Sequence, residues 1–171
     1  MQHARPQPKR QRPLARAQRN TAFQWERYTA ISAEVLPLMR RHWAEIEVKD
    51  TLDPDFERYF AMDRAGVIRI FTARASGVLV GYIAFLVSPD IMCKHRIIAA
   101  AHCFWLDPLE REGWTGVKML RDCEEGLKAW GASIIEVRPK LDFCNDRGHS
   151  VATIMRRLKY RPTEMLYSKG L

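Results

Sequence analysis

Apolar and polar residues along the chain fall into two alternating periods, and the switches between those periods mark its elements. Thr21 to Ala30 interleaves Phe23, Trp25 and Tyr28 with polar residues and predicts a strand. Ser32 then heads a helical stripe of Val35, Leu36, Met39, Trp43 and Ile46, which predicts a helix over 32–47 capped by Ser32, with Pro37 in its early turns. Asp53 and Pro54 read as the start of a second helix carrying Phe56, Tyr59, Phe60 and Met62 and ending near Gly66. From Val67 the composition turns β-branched and aromatic: strands over 67–73 and 78–87 flank a turn at Ser76-Gly77, and a third apolar run over 97–106 predicts a central strand. Val117, Leu120, Cys123, Leu127 and Trp130 drift as one helical face over 115–130, stopped by Gly131. A strand over 133–137, a helix over 150–158 and a last strand over 164–168 complete a mixed α/β layout around one sheet.

Composition changes the picture at the N-terminus. The 171 residues are 47% hydrophobic, enough for one domain with a real core, here 21–171. Residues 1–20 hold Arg5, Lys9, Arg10, Arg12, Arg16 and Arg19 and no acid, so most of the formal charge of +8 belongs to this arm. The body keeps 22 basic against 20 acidic residues and is nearly neutral. Such an arm cannot bury enough apolar surface to fold alone, and it can steer association with nucleic acid or anionic surfaces. Pro6, Pro8 and Pro13 break the amphipathic helix that a mitochondrial presequence requires. Without a membrane-length apolar run or a signal-peptide core, the expectation is a soluble, cytoplasmic protein with no membrane partner. Cys93, Cys103, Cys123 and Cys144 form no C-x-x-C pair, and Cys93, His95, His102 and Cys103 lack metal-ligand spacing, so neither a disulfide framework nor a metal is expected.

The segment that carries chemistry runs from Phe104 to Leu120. A buried strand ends at Leu106-Asp107-Pro108, a loop with Arg111 and Gly113 follows, and a helix opens at Thr115-Gly116. Such a junction presents free backbone N–H groups and the positive end of a helix dipole, which together suit a pyrophosphate. Glycines let the backbone approach the anion, and an arginine adds charge.

This segment resembles the coenzyme A-binding motif of the GNAT superfamily of N-acetyltransferases: a strand, then Arg/Gln-x-x-Gly-x-Gly/Ala, then a helix. Arg111 takes the first motif position and Gly116 the last, whereas Trp114 stands where the middle glycine usually does and Gly113 lies one position earlier. The resemblance extends over roughly 67 to 171, through Gly81-Tyr82-Ile83-Ala84, Ile134-Ile135-Glu136-Val137-Arg138 and Leu158-Lys159-Tyr160-Arg161-Pro162. A narrower likeness is to the small GNAT-like proteins encoded by tailed phages. The resemblance implies the GNAT fold, a mixed central sheet of about six to seven strands flanked by helices. It implies direct acetyl transfer from acetyl-CoA to an amine, with the coenzyme held by Leu106, Arg111, Glu112, Gly113, Trp114, Thr115 and Gly116.

An amine of pKa about 10.4 must shed a proton before attack. Glu136 matches a glutamate that ribosomal-protein acetyltransferases of this superfamily carry on strand five, and is the first candidate base. His102, which titrates near neutrality when unperturbed, is the second. Met155 occupies the position of the tyrosine that many members use to protonate the leaving thiolate, leaving Tyr160 and Tyr167 as substitutes. Asp142, Asn145, Asp146 and His149 form a polar loop where the superfamily often shapes its acceptor pocket. The acceptor is an amine on a metabolite, a protein or a modified nucleobase. A second reading, which Met155 and Trp114 favour, is a catalytically inactive module of the same fold that binds nucleic acid or a protein partner.

Deleting residues 1–20 is expected to leave the fold and coenzyme binding intact while weakening association with nucleic acid. For every phosphate that an arm side chain neutralises, the deletion should lower the salt slope of binding by about 0.9 on duplex DNA or about 0.7 on a single strand. Titrating both chain lengths against DNA and RNA at several salt concentrations checks this, and equal slopes would make the arm a bystander.

Overall fold

The computed structural model describes residues 20–46, 50–111, 113–138, 150–163 and 169. The elements run β1 (Thr21–Glu26), α1 (Tyr28–Glu45), α2 (Phe56–Arg64), β2 (Ile68–Ala75), β3 (Val78–Pro89), β4 (Ile97–Leu106), a 3₁₀ turn at Pro108–Glu110, α3 (Thr115–Ala129), β5 (Ile134–Val137) and α4 (Val151–Arg157). Five strands in the order β1-β2-β3-β4-β5 form the sheet among the described residues. The first four pair as an antiparallel meander, and β5 lies parallel to β4. Parallel neighbours need a crossover, which α3 supplies. The expected strand over 164–168 lies outside the described residues, so five strands stand against the expected six to seven.

Ser76 and Gly77, at φ +52° and +83°, join β2 to β3 in a two-residue turn whose twist suits a hairpin. On one face of the sheet, Tyr28, Ile31, Val35 and Leu38 of α1 pack with Ile68, Ile70, Leu79, Tyr82, Ala84 and Trp105. On the other face, Met119, Leu120, Cys123 and Leu127 of α3 and Met155 of α4 pack against Phe71, Ala73, Ile83, Phe85, Ala99 and Leu106.

The start of α1 departs from expectation. The first strand ends at Glu26, and Tyr28, Thr29 and Ala30 belong to the helix, so Ser32 is no cap. Arg27 occupies the cap position in an extended conformation but makes no side-chain cap bond. The capping oxygen comes instead from α2: Asp63, only 3% exposed, accepts from the Thr29 N–H at 3.2 Å and from Arg27 Nε at 3.0 Å. Pro37 does not break α1, because it lies on the exposed face where water can reach the carbonyl that the missing N–H leaves unbonded. The cap of α2 is Asp55, accepting from the Arg58 N–H at 2.9 Å, rather than Asp53.

No helix among the described residues is long and apolar enough to cross a membrane. Burial alone would raise the Asp63 carboxyl, but hydrogen bonds from the backbone of Thr29 and Tyr28 and from Arg27 outweigh it and hold the group below its ordinary value. Its stabilising effect is therefore present above the unfolded-state pKa and is lost as pH falls through the lowered folded value. Asp63→Ala is expected to cost about 2 kcal/mol, combining a lost cap with orphaned N–H groups, or roughly 4–8 °C of melting temperature. Thermal denaturation at pH 7 and pH 3 checks it, the difference between variant and parent shrinking at the lower pH.

Candidate active site

The site begins with a defect in the pairing of β4. Ala84 pairs with Cys103 and Phe85 with Ala101, so His102 is an extra residue on β4. A bulge of this kind bends its strand and sharpens the local twist. On the other side, β4 and β5 pair only from Ile98↔Ile134 to Ala101↔Val137, and beyond that point the two strands part.

The backbone past the bulge faces the opening. Asp107 N–H donates to the Val80 carbonyl at 2.8 Å, which makes residues 107 and 80 a hydrogen-bonded pair. Ladder alternation then turns the N–H and C=O of Leu106 away from β3 and toward the gap. Gly81 lies opposite, and a Cβ there would come within 2.6 Å of the Leu106 Cδ1 and 3.0 Å of the Trp105 carbonyl. Only glycine allows β3 and β4 this approach.

A cavity of about 800 Å³ opens where the strands part. Phe104, Leu106, Gly116, Val137, Val151 and Ile154 line one side, and Met39, Trp43, Tyr59, Met62, Tyr82 and Leu86 line the other, with His42, His102, Cys103 and Arg111 between. The first group lies toward α3 and α4, the second toward α1 and α2. α3 starts beside this cavity at Thr115, with Trp114 in the cap position giving no side-chain hydrogen bond and no acid in the first turn. Among the described residues no side chain caps its leading N–H groups, which with the dipole suit an anion. Gly113, at φ +83°, makes the turn into it, and Trp114 is 65% exposed.

Of the residues expected to hold a coenzyme, Leu106, Arg111 and Gly116 line the cavity, Gly113, Trp114 and Thr115 form the loop and helix start beside it, and Glu112 lies outside the described residues. Arg111 is turned toward α1: its Nε donates to the Leu106 carbonyl at 2.7 Å, and its Nη2 lies 2.6 Å from Glu45 Oε2. Glu45 Oε1 accepts from Trp105 Nε1 at 3.1 Å, and Arg41 pairs with Asp107 at 2.8 Å. These contacts fasten the C-terminal end of α1 to the end of β4.

Of the two candidate bases, exposed His102 lines the cavity, while Glu136 is not among its lining residues and has its carboxylate 3.8 Å from Arg138. Met155 is a core residue. Tyr160 donates to Glu124 at 2.9 Å, and burial pushes its phenol up. Tyr167 and the loop of Asp142, Asn145, Asp146 and His149 lie outside the described residues. A polar pair on the cavity floor goes beyond the sequence expectations: His42 Nδ1 and Tyr82 Oη lie 3.1 Å apart. Its one signal in the sequence is a histidine beside the stripe of Met39, Trp43 and Ile46. Burial drives the Tyr82 phenol upward and pushes Tyr59 and Cys103 each up to about 12, so all three stay neutral at pH 7.

No protein-family model and no curated protein matches the chain. Solved structures do resemble it, at low sequence identity. An aminoglycoside acetyltransferase from an uncultured soil metagenomic sample, in complex with sisomicin, shares 15% identity over 88% of this chain and 95% of its own, with a TM-score of 0.69. The ribosomal-protein-alanine N-acetyltransferase from Brucella melitensis biovar Abortus 2308 shares 12% over 88% and 99%, with a TM-score of 0.67. A predicted acetyltransferase with acetyl-CoA from Clostridium acetobutylicum shares 14% over 88% and 96%, with a TM-score of 0.64. The fold of this chain is the GNAT fold.

Proposed function

We propose that the protein is an acyl-CoA-dependent N-acyltransferase that moves an acetyl group from acetyl-CoA directly to an amine. The observation that carries this reading is the gap between β4 and β5, which opens beside an uncapped helix N-terminus and runs into one cavity lined from both faces of the sheet. A thioester entering the gap meets the outward-turned backbone of β4, where the Leu106 N–H is a donor for the carbonyl oxygen and for the negative charge that grows on it during attack. The pyrophosphate belongs at the start of α3, on the N–H groups around Gly113 to Gly116, with Glu112 in the same loop. Arg111 keeps its bonds to Glu45 and the Leu106 carbonyl in this reading and adds positive potential at the lip.

The amine enters from the α1 and α2 side. Its nitrogen attacks the thioester carbon, the carbon–sulfur bond breaks, and coenzyme A leaves with the bonding electrons on sulfur. His102 takes the proton from the nitrogen, because it lies on the cavity wall at the bulge where the two halves meet. Glu136, beside Arg138, stands second as base. With Met155 in the core and Tyr160 committed to Glu124, the sulfur departs as a thiolate, tolerable for a thiol of pKa about 8.5.

Acetyl-CoA is expected to raise the melting temperature, with about 2.7 kcal/mol of stabilisation at a hundred times its dissociation constant. Gly116→Glu should abolish that shift while still folding, since a Cβ at this position meets nothing nearer than Leu106 Cδ2 at 3.9 Å. No shift for the parent protein at millimolar ligand would end the assignment.

His102→Gln should slow thiol release at neutral pH about 10²- to 10⁴-fold and recover as rising pH deprotonates the free amine. Glu136→Gln should stay within about tenfold of the parent. The reverse ranking would give the proton to Glu136.

A further inference from the structure

Much of the acceptor half of the cavity suits an apolar body better than a hydroxyl-rich one. Its walls are Met39 and Trp43 of α1, Tyr59 and Met62 of α2, and Leu86 of β3. The one polar atom of Trp43 is tied away, its Nε1 donating to the Asp50 carbonyl at 2.8 Å, so the ring itself is apolar wall. The Tyr59 ring stacks on buried Tyr28 with centroids 4.9 Å apart, which fixes its plane. The floor carries the Tyr82 phenol beside His42, with the Cys103 thiol nearby.

Among the described residues, four carboxylates share the lining. Glu45 is engaged by Arg111 and Trp105, while Asp50, Asp53 and Asp55 stand exposed on the segment between α1 and α2, together with the cationic Arg58. A cation can thus be drawn to these exposed aspartates, while Met39, Trp43, Met62 and Leu86 offer it no charge. An amine rich in hydroxyls would set them against Met39, Met62 and Leu86, and each buried group without a partner lowers affinity roughly tenfold.

Resting on the acyl-transfer reading of this cavity, we infer that the acceptor is a small primary amine carried on an apolar, alkyl or aryl body. The body fills the space between Trp43, Tyr59, Met62 and Leu86. The nitrogen points inward, past the Tyr82 and His42 pair, toward the open end of β4.

The test is a series of amines under saturating acetyl-CoA, followed by thiol release: propylamine, pentylamine, heptylamine, 2-phenylethylamine and tryptamine against spermidine, kanamycin and a hexapeptide with a free N-terminus. Apparent kcat/KM is expected to rise about threefold to fourfold per methylene along the alkyl series, and the aryl amines should exceed spermidine, kanamycin and the peptide by at least tenfold. Met62→Gln, similar in size but polar, should flatten the alkyl slope, and Met39→Leu should keep it. A flat slope in the parent protein, or faster turnover of spermidine, kanamycin or peptide, overturns the inference. Calorimetric titration of heptylamine and 2-phenylethylamine onto the protein without coenzyme separates the two readings. Amine binding that tightens with chain length, in a protein whose melting temperature ignores acetyl-CoA, would support the apolar pocket and remove acyl transfer. A clear acetyl-CoA shift with no apolar amine bound or acetylated would do the opposite.

Discussion

Between Ala101 and Cys103, β4 carries one residue more than its partner strand can match, and the bend at His102 carries β4 away from β5. Had the parallel pairing continued past Val137, the backbone of Phe104 to Leu106 would be consumed by a neighbouring strand and the sheet would close. Parting leaves a row of strand polar groups turned to open space, which is a liability unless something answers it. On this chain the Leu106 carbonyl is answered by Arg111, and the N–H is turned to the gap. The same opening lets one cavity reach both faces of a sheet that would otherwise divide them.

A cavity needs walls that stay in place, and the cap residue Arg27 gives the start of α1 no side-chain cap bond. Asp63 of α2 supplies the missing acceptor at its start. At its far end, Glu45 and Arg41 reach β4 and the turn after it, through Arg111, Trp105 and Asp107. Trp105 is central there, buried, with the guanidinium groups of Arg41 and Arg111 at 4.9 and 5.7 Å from its ring. Partly exposed ion pairs contribute little one by one. Sharing acceptors around a buried indole makes them a positioning device for the helix that carries Met39, His42 and Trp43.

What is legible in the sequence follows the range of the forces involved. The Ser76-Gly77 turn, the Gly66 stop, the end of β4 at Leu106 and the start of α3 rest on neighbouring residues, and local spacing locates them closely. The start of α1 escapes such a reading because its cap comes from a residue 34 positions away from Thr29. The expected cap at Ser32 obeys a local rule that a tertiary contact overrides. Within the site, the loop from Arg111 to Gly116 can be placed from its spacing, yet the direction of Arg111, toward Glu45 rather than along the loop, depends on a helix packed from the other end of the domain. His42 and Tyr82 carry no motif at all, since a histidine and a tyrosine 40 residues apart reveal nothing until α1 lies across β3.

The bulge itself is hidden for a different reason. Strand residues alternate between faces, so one extra residue reverses the assignment of everything after it. Before His102, odd positions such as Ala99 and Ala101 face α3; after it, even positions such as Phe104 and Leu106 do, and Cys103 and Trp105 turn to the α1 side. A strand with one polar face would have shown the reversal as two residues of the same kind in a row. The run from Ile97 to Leu106 is apolar almost throughout because helices cover both faces, so the reversal leaves no trace in its pattern. The exception in that run is His102, the single ionisable imidazole among ten otherwise uncharged residues. In a strand covered on both sides, such a side chain has an inexpensive place only where the strand bends away and opens to solvent. A lone polar residue in a doubly covered strand is therefore a signal for the bulge and for the cavity mouth at once, and on this chain the two coincide at His102.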